Sequence, residues 1–131
     1  MADHPNAQIA RTGLEAFNAG DRETFASTVH DDVTWHAPGN NRFSGDFVGK
    51  AAALDRFRAQ MEAGVKLGFS DLHDVVANDD HVVALLTVTV TGPGGEASGR
   101  SVFVMHMRDG KLAEFWAMND NQAEFDRVTD G

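Results

Sequence analysis

The sequence predicts an α+β domain in which helices occupy the first half and a meander of long antiparallel strands the second. Three observations carry this. Apolar residues recur at three- and four-residue spacing between Pro5 and Ala63, β-branched and apolar alternation takes over after Gly64, and the pair Asp109-Gly110 separates two such alternations, which is the strongest short hairpin signal.

The elements follow in order. Ile9, Ala10, Gly13, Leu14, Ala16 and Phe17 line one side of a helix over Pro5 to Ala19, which Gly20 stops. Asp21 is placed to cap a second helix, Arg22 to His30, with Phe25, Ala26 and Val29 inward. A strand over Val33 to Ala37 precedes the loop Pro38 to Asn41. Gly45 and Gly49 bracket Asp46 to Val48 before a third helix, Lys50 to Ala63, whose inner face reads Ala53, Leu54, Phe57 and Met61. Strands are expected at Leu67 to Ala77, His81 to Thr91, Ala97 to Arg108 and Lys111 to Asn119, and a short helix over Asn121 to Val128 closes the chain.

Composition narrows the function. The 131 residues suit one domain with one core, spanning 1–131. A net charge of -9, with eleven Lys and Arg that never cluster, argues against nucleic acid and an anionic membrane surface as partners. No apolar run reaches the ~20 residues of a spanning helix. Met1 to Leu14 lacks the pattern of a signal peptide, so the cytoplasm is the expected location. The chain has no cysteine, hence no disulfide or thiolate chemistry.

A two-residue turn at Asp109-Gly110 predicts the faces of the last hairpin. Arg108 then opposes Lys111, Met105 opposes Glu114, Phe103 opposes Trp116 and Ser101 opposes Met118, with Asp120 ending that face. The other face carries Val102, Val104, His106, Ala113, Phe115 and Ala117. Both faces are apolar, so each needs cover: the helices for one, a second copy of the chain for the other, which predicts a homodimer.

The stretch Gly110 to Asp120, G-K-L-A-E-F-W-A-M-N-D, resembles the ending of SnoaL-like polyketide cyclases of the nuclear transport factor 2-like superfamily. Asp31, Asp32, Val33, Trp35, Pro38, Gly39, Gly45 and Gly49, ahead of an Ala-rich helix with Phe57, are similar to the same family's earlier pattern. The resemblance implies a cone, a curved antiparallel sheet wrapped around N-terminal helices with a pocket at its open end. It also implies that Asp120 is the acid and base of a cofactor-free proton transfer of cyclase, isomerase or dehydratase type. A ketosteroid isomerase mechanism is not implied, since Ala37 stands where that base is held and the chain has no tyrosine.

The expected site is therefore Asp120 beside Trp35, Phe57, Phe103, Trp116 and Met118, around a small apolar ligand. Each has a plainer reading: Asp120 as the cap of the last helix, the aromatics as core. No cofactor is expected. No two histidines stand at metal-ligand spacing, so no metal is expected either. His36 points away from Trp35, His106 falls on the face opposite Asp120, and the register of His73 stays open. The alternatives to catalysis are a binding protein with the same cone and a homodimeric accessory domain.

Overall fold

A computed structural model describes residues 3–131; Met1 and Ala2, the first two residues of the predicted domain, lie outside the described residues. Helix α1 spans Pro5–Ala19, opened by Pro5 and by His4 Nδ1 accepting from the Asn6 N–H, and closed by Gly20 at φ 73°. Helix α2 is shorter than its pattern suggests, Arg22–Ser27, because Val29 already pairs with Leu112 in the sheet and the chain must extend from there. Strand β1 therefore runs Val29–Ala37, and β2 runs Gly45–Val48. After α3 (Lys50–Glu62) come β3 (Lys66–Ala77), β4 (His81–Gly92), β5 (Gly95–Arg108), β6 (Lys111–Asn119) and α4 (Gln122–Asp130).

The strands form one six-stranded sheet in the order β2-β1-β6-β5-β4-β3. Every pairing is antiparallel except β1 with β6, where the β1–β2 hairpin joins the β3–β6 meander. The sheet is curved and unclosed. Extra residues between Ser70 and Asp74, with Asp71 at φ 53°, break the β3–β4 register and bend the edge. Buried side chains of β1, β4, β5 and β6 face α1, α2 and α3 on the concave side, the cone implied by the resemblance.

The hairpin between β5 and β6 turns as predicted. Asp109 and Gly110 both take positive φ, 54° and 70°, between paired Arg108 and Lys111. Beyond the turn the register differs from the sequence expectation. Met107 pairs with Leu112 and His106 with Glu114, leaving Ala113 as an extra residue. Because side chains alternate, one inserted residue exchanges the two faces of β6 relative to β5. Phe115, Ala117 and Asn119 consequently join Ser101, Phe103 and Met105 inside. Glu114, Trp116 and Met118 join Val102, Val104 and His106 outside. The outer row expected to contain Phe115 and Ala117 is corrected accordingly, since Phe115 is buried in the core.

Candidate functional site

The concave face holds a cavity of about 90 Å³ walled by Phe17, Phe25, Trp35, Phe57, Phe103 and Phe115. Their rings interlock: Trp35 stacks on Phe115 at 3.9 Å between centroids, and Phe57 meets Phe17, Phe25 and Trp35 edge-on at 5.0 to 5.7 Å. A recess of about 500 Å³ shares Phe17, Phe25, Phe57, Gln60 and Leu67 as walls and lies between α1–α2 and the end of α3. An apolar cavity of about 150 Å³ admits one benzene ring. The cavity is smaller than that, so even a ring-sized ligand must move the Phe17–Phe57 partition and extend toward the recess.

Of the residues expected to gather here, Trp35, Phe57 and Phe103 do so. Trp116 and Met118 do not, because the Ala113 bulge turns both outward; Met118 is 57% exposed. Asp120 lies outside the cavity as well. It is exposed at the end of β6, where its N–H donates to Arg100 O and its Oδ1 accepts from Arg100 N–H, both at 3.0 Å. The cap position of α4 belongs to Asn121, so Asp120 extends the β5–β6 ladder by one backbone-like bond instead of capping the helix.

The polar side chains inside come from α3, β6 and α4. Ala53, Arg56 and Gln60 form the buried stripe of α3, whereas Met61, expected inside, is 53% exposed. Arg56 is 9% exposed. Its Nε donates to Phe43 O at 2.8 Å and its guanidinium sits over the rings of Phe47 and Phe57 at 5.6 and 5.3 Å. Among the described residues it has no carboxylate within ion-pair distance. Burial pulls its pKa down to about 10, so it stays cationic at neutral pH.

A chain of amides borders the same cavity. Asn41, Asn119, Gln122 and Thr129 line it beside Arg56 and Gln60. Asn119 Nδ2 donates to Gln122 Oε1 at 2.7 Å, and Gln122 Nε2 donates to Asp126 Oδ1 at 2.9 Å. Asp126 also accepts from Asn41 Nδ2 at 2.7 Å and from Asn40 N–H at 2.9 Å, which ties the loop after β1 to α4. Gly39, at φ 89°, is where that loop passes so close to Gln122 and Asp126 that a Cβ would collide with both. Asn119 Oδ1 is left buried without a partner.

Histidines stay off the cavity. His36 lies on the outer face, bonded to Asp46 through Nδ1 and Glu114 through Nε2, each at 2.7 Å, and stacked on Trp116 at 4.9 Å. The Glu114 bond, opposed by desolvation and assisted by Asp46, holds its pKa above the ordinary imidazole value. His106 lies 3.3 Å from Glu114 on the same face, and His73 is exposed in the irregular part of β3. Among the described residues no group of three or more His, Asp or Glu side chains is placed to hold a metal, and no helix is long and apolar enough to cross a membrane.

Residues 10–115 match the family model of the SnoaL-like domain. The chain belongs to that family. This SnoaL-like chain superimposes on a Xanthomonas campestris protein of unknown function with a cystatin-like fold, at 28% identity and a TM-score of 0.89, covering 96% of this chain and 98% of the other. A nuclear transport factor 2-like protein of Burkholderia xenovorans LB400 follows at 21% identity and TM-score 0.82, with 99% of each chain covered. A candidate polyketide cyclase from Xanthomonas campestris pv. campestris shares the fold at 19% identity and TM-score 0.77, over 95% and 96% of the two chains. No curated protein matches the sequence.

Arg56, Gln60 and Gln122 escape the sequence reading. The signal for two of them is present, since Arg56 and Gln60 stand three and seven residues after Ala53, on one helical stripe. A hydrophobicity pattern passes over such residues because it assigns polar side chains to the solvent. Asn119 shares the inner face with Ser101 only because of the Ala113 bulge.

Proposed function

We propose that this SnoaL-like protein binds a small, largely apolar molecule in the cone and holds an acidic or strongly polarised oxygen of it with Arg56. The observation that carries the reading is the buried guanidinium, without a carboxylate partner among the described residues, on a cavity walled by aromatic and aliphatic side chains and uncharged amides. An unpaired buried charge is costly to a fold, and a ligand oxygen supplies the missing counter-charge in a setting where charge-assisted hydrogen bonds are strong. Binding is favoured over proton-transfer chemistry because, among the described residues, no Asp, Glu, His or Lys lines this cavity, Asp21, Asp55 and Lys66 border only the recess, and Asp120 stands outside the cavity. A cyclase or isomerase needs a base within hydrogen-bond reach of the proton it moves.

The test compares Arg56→Met with the wild type in calorimetric titrations with benzoic and 2-naphthoic acids against benzamide and 2-naphthamide. The acids should bind the wild type more tightly than the amides and lose roughly tenfold or more of that affinity in the variant. Equal binding of acid and amide by both proteins would remove Arg56 from recognition. The proton-transfer reading gains ground instead if a compound turned over by the wild type is left unreacted by Asp120→Asn.

A further inference from the structure

We infer that the ligand also carries a hydrogen-bond donor, a hydroxyl or N–H, received by Asn119 Oδ1, and that Asp126 imposes this requirement through Gln122. The inference rests on the binding reading above and adds a second recognition element to it. The class it names is an apolar hydroxy acid or hydroxy-carbonyl compound.

The constraint starts at Asp126. An ionised carboxylate only accepts hydrogen bonds, and here it receives three, from Asn40 N–H, Asn41 Nδ2 and Gln122 Nε2. The amino group of Gln122 is therefore fixed toward Asp126, which turns Gln122 Oε1 toward Asn119. That oxygen in turn demands the amino group of Asn119, received at 2.7 Å. Asn119 has one orientation left, with Oδ1 pointing away from the chain of amides. Turning Asn119 over would set two carbonyl oxygens against each other; turning both amides over would set Gln122 Oε1 against the Asp126 carboxylate. The polarity of the cavity wall is thus decided two side chains away from the ligand.

Asn119 Oδ1 is the one buried side-chain nitrogen or oxygen among the described residues with no hydrogen-bond partner. Asn119, Gln122, Asn41 and Arg56 all line the same cavity. A fixed, buried acceptor and a fixed, buried cation from the lining of one cavity discriminate in both senses. They reward a ligand with an acidic oxygen and a donor, and they penalise one that replaces the donor with an ether or a carbonyl oxygen, since two acceptors then face each other without water.

The experiment titrates the protein with the 2-, 3- and 4-hydroxybenzoic acids, the hydroxy-2-naphthoic acids, their methyl ethers and the unsubstituted acids. At least one hydroxy isomer should bind roughly 10- to 100-fold more tightly than its methyl ether. In Asp126→Asn the amide chain can reverse, presenting Asn119 Nδ2 to the cavity, and the preference should shrink or invert while the dependence on the carboxylate remains. Asn119→Leu should abolish the preference and keep that dependence. Wild-type protein that binds the acids through Arg56 but treats hydroxyl and methoxy alike overturns the donor requirement and leaves the binding reading standing. No binding of any acid overturns both. The wild-type ratio decides the matter even if a variant fails to fold.

Discussion

Trp35 lies flat on Phe115, with 3.9 Å between ring centroids and 13° between planes, across the one parallel pairing of the sheet. One residue further along, His36 lies on Trp116 in the same way on the opposite face, at 4.9 Å and 15°. The parallel register of β1 and β6 thus builds a stacked pair on each side, the inner one a wall of the cavity and the outer one the centre of a charged cluster.

The inner pair makes Phe115 a core residue. Phe115→Ala should lower unfolding free energy by about 3–5 kcal/mol, the usual cost of removing a buried aromatic, as measured by urea denaturation. Phe115→Glu should prevent folding altogether. A well-folded Phe115→Glu protein would contradict the register described for β6.

The outer cluster predicts a pH dependence. The pKa of His36 is raised in the folded state, chiefly by the Glu114 bond, so its contribution to stability is complete below the unfolded value near 6.5 and fades as pH rises through the folded value. As pH rises from below the unfolded value through the raised folded value, the wild type should lose stability relative to His36→Gln and Glu114→Gln. Asp46 and Trp116 border the same ring, His106 shares its Glu114 partner, and all three stay unchanged in both variants. Parallel pH profiles for all three proteins would remove His36 as the source.

Val102, Val104, Trp116 and Met118 form an apolar row on the outer face, and it carries imidazoles and a carboxylate side by side. A surface bearing both signs is complementary to itself across a two-fold axis, so a second copy of the chain is its proposed cover. Sedimentation at micromolar protein should give a dimer, and Val104→Glu a folded monomer. Monomeric wild type would rule out this assembly.

For Asp120, the bonds to Arg100 predict a modest structural role. Asp120→Asn keeps an acceptor at Oδ1 and should leave stability unchanged, while Asp120→Ala should cost no more than about 1 kcal/mol. Neither should change the affinity for apolar acids by more than about twofold. A large loss of affinity in Asp120→Asn would bring this carboxylate back into the site.

Much of the fold is legible along the chain because the signals are local. Gly20 stops α1 where it is expected, Asp109 and Gly110 make the turn their residue types favour, and alternation marks β3 to β6 to within a residue or two of their ends. Each depends on the backbone preferences of a few neighbouring residues. Trp35, Phe57 and Phe103 are read as cavity walls for the same reason, being large apolar side chains on the buried stripes of well-marked elements.

What the tertiary structure alone decides is which side of β6 faces inward. Ala113 looks like any strand residue, and only the fit of β6 between β1 and β5 makes it the extra one. A strand has a side-chain period of two, so this single insertion moves Trp116, Met118 and Glu114 outside and Phe115, Ala117 and Asn119 inside. Arg56 likewise faces the cavity because Ala53 and Gln60 share its stripe, while Phe47 and Phe57 cover its charge. Sequence determined that the chain is an α+β cone with an aromatic interior. The polar groups that give that interior its chemical selectivity are set by contacts between residues far apart in the chain, and local pattern carries no record of those.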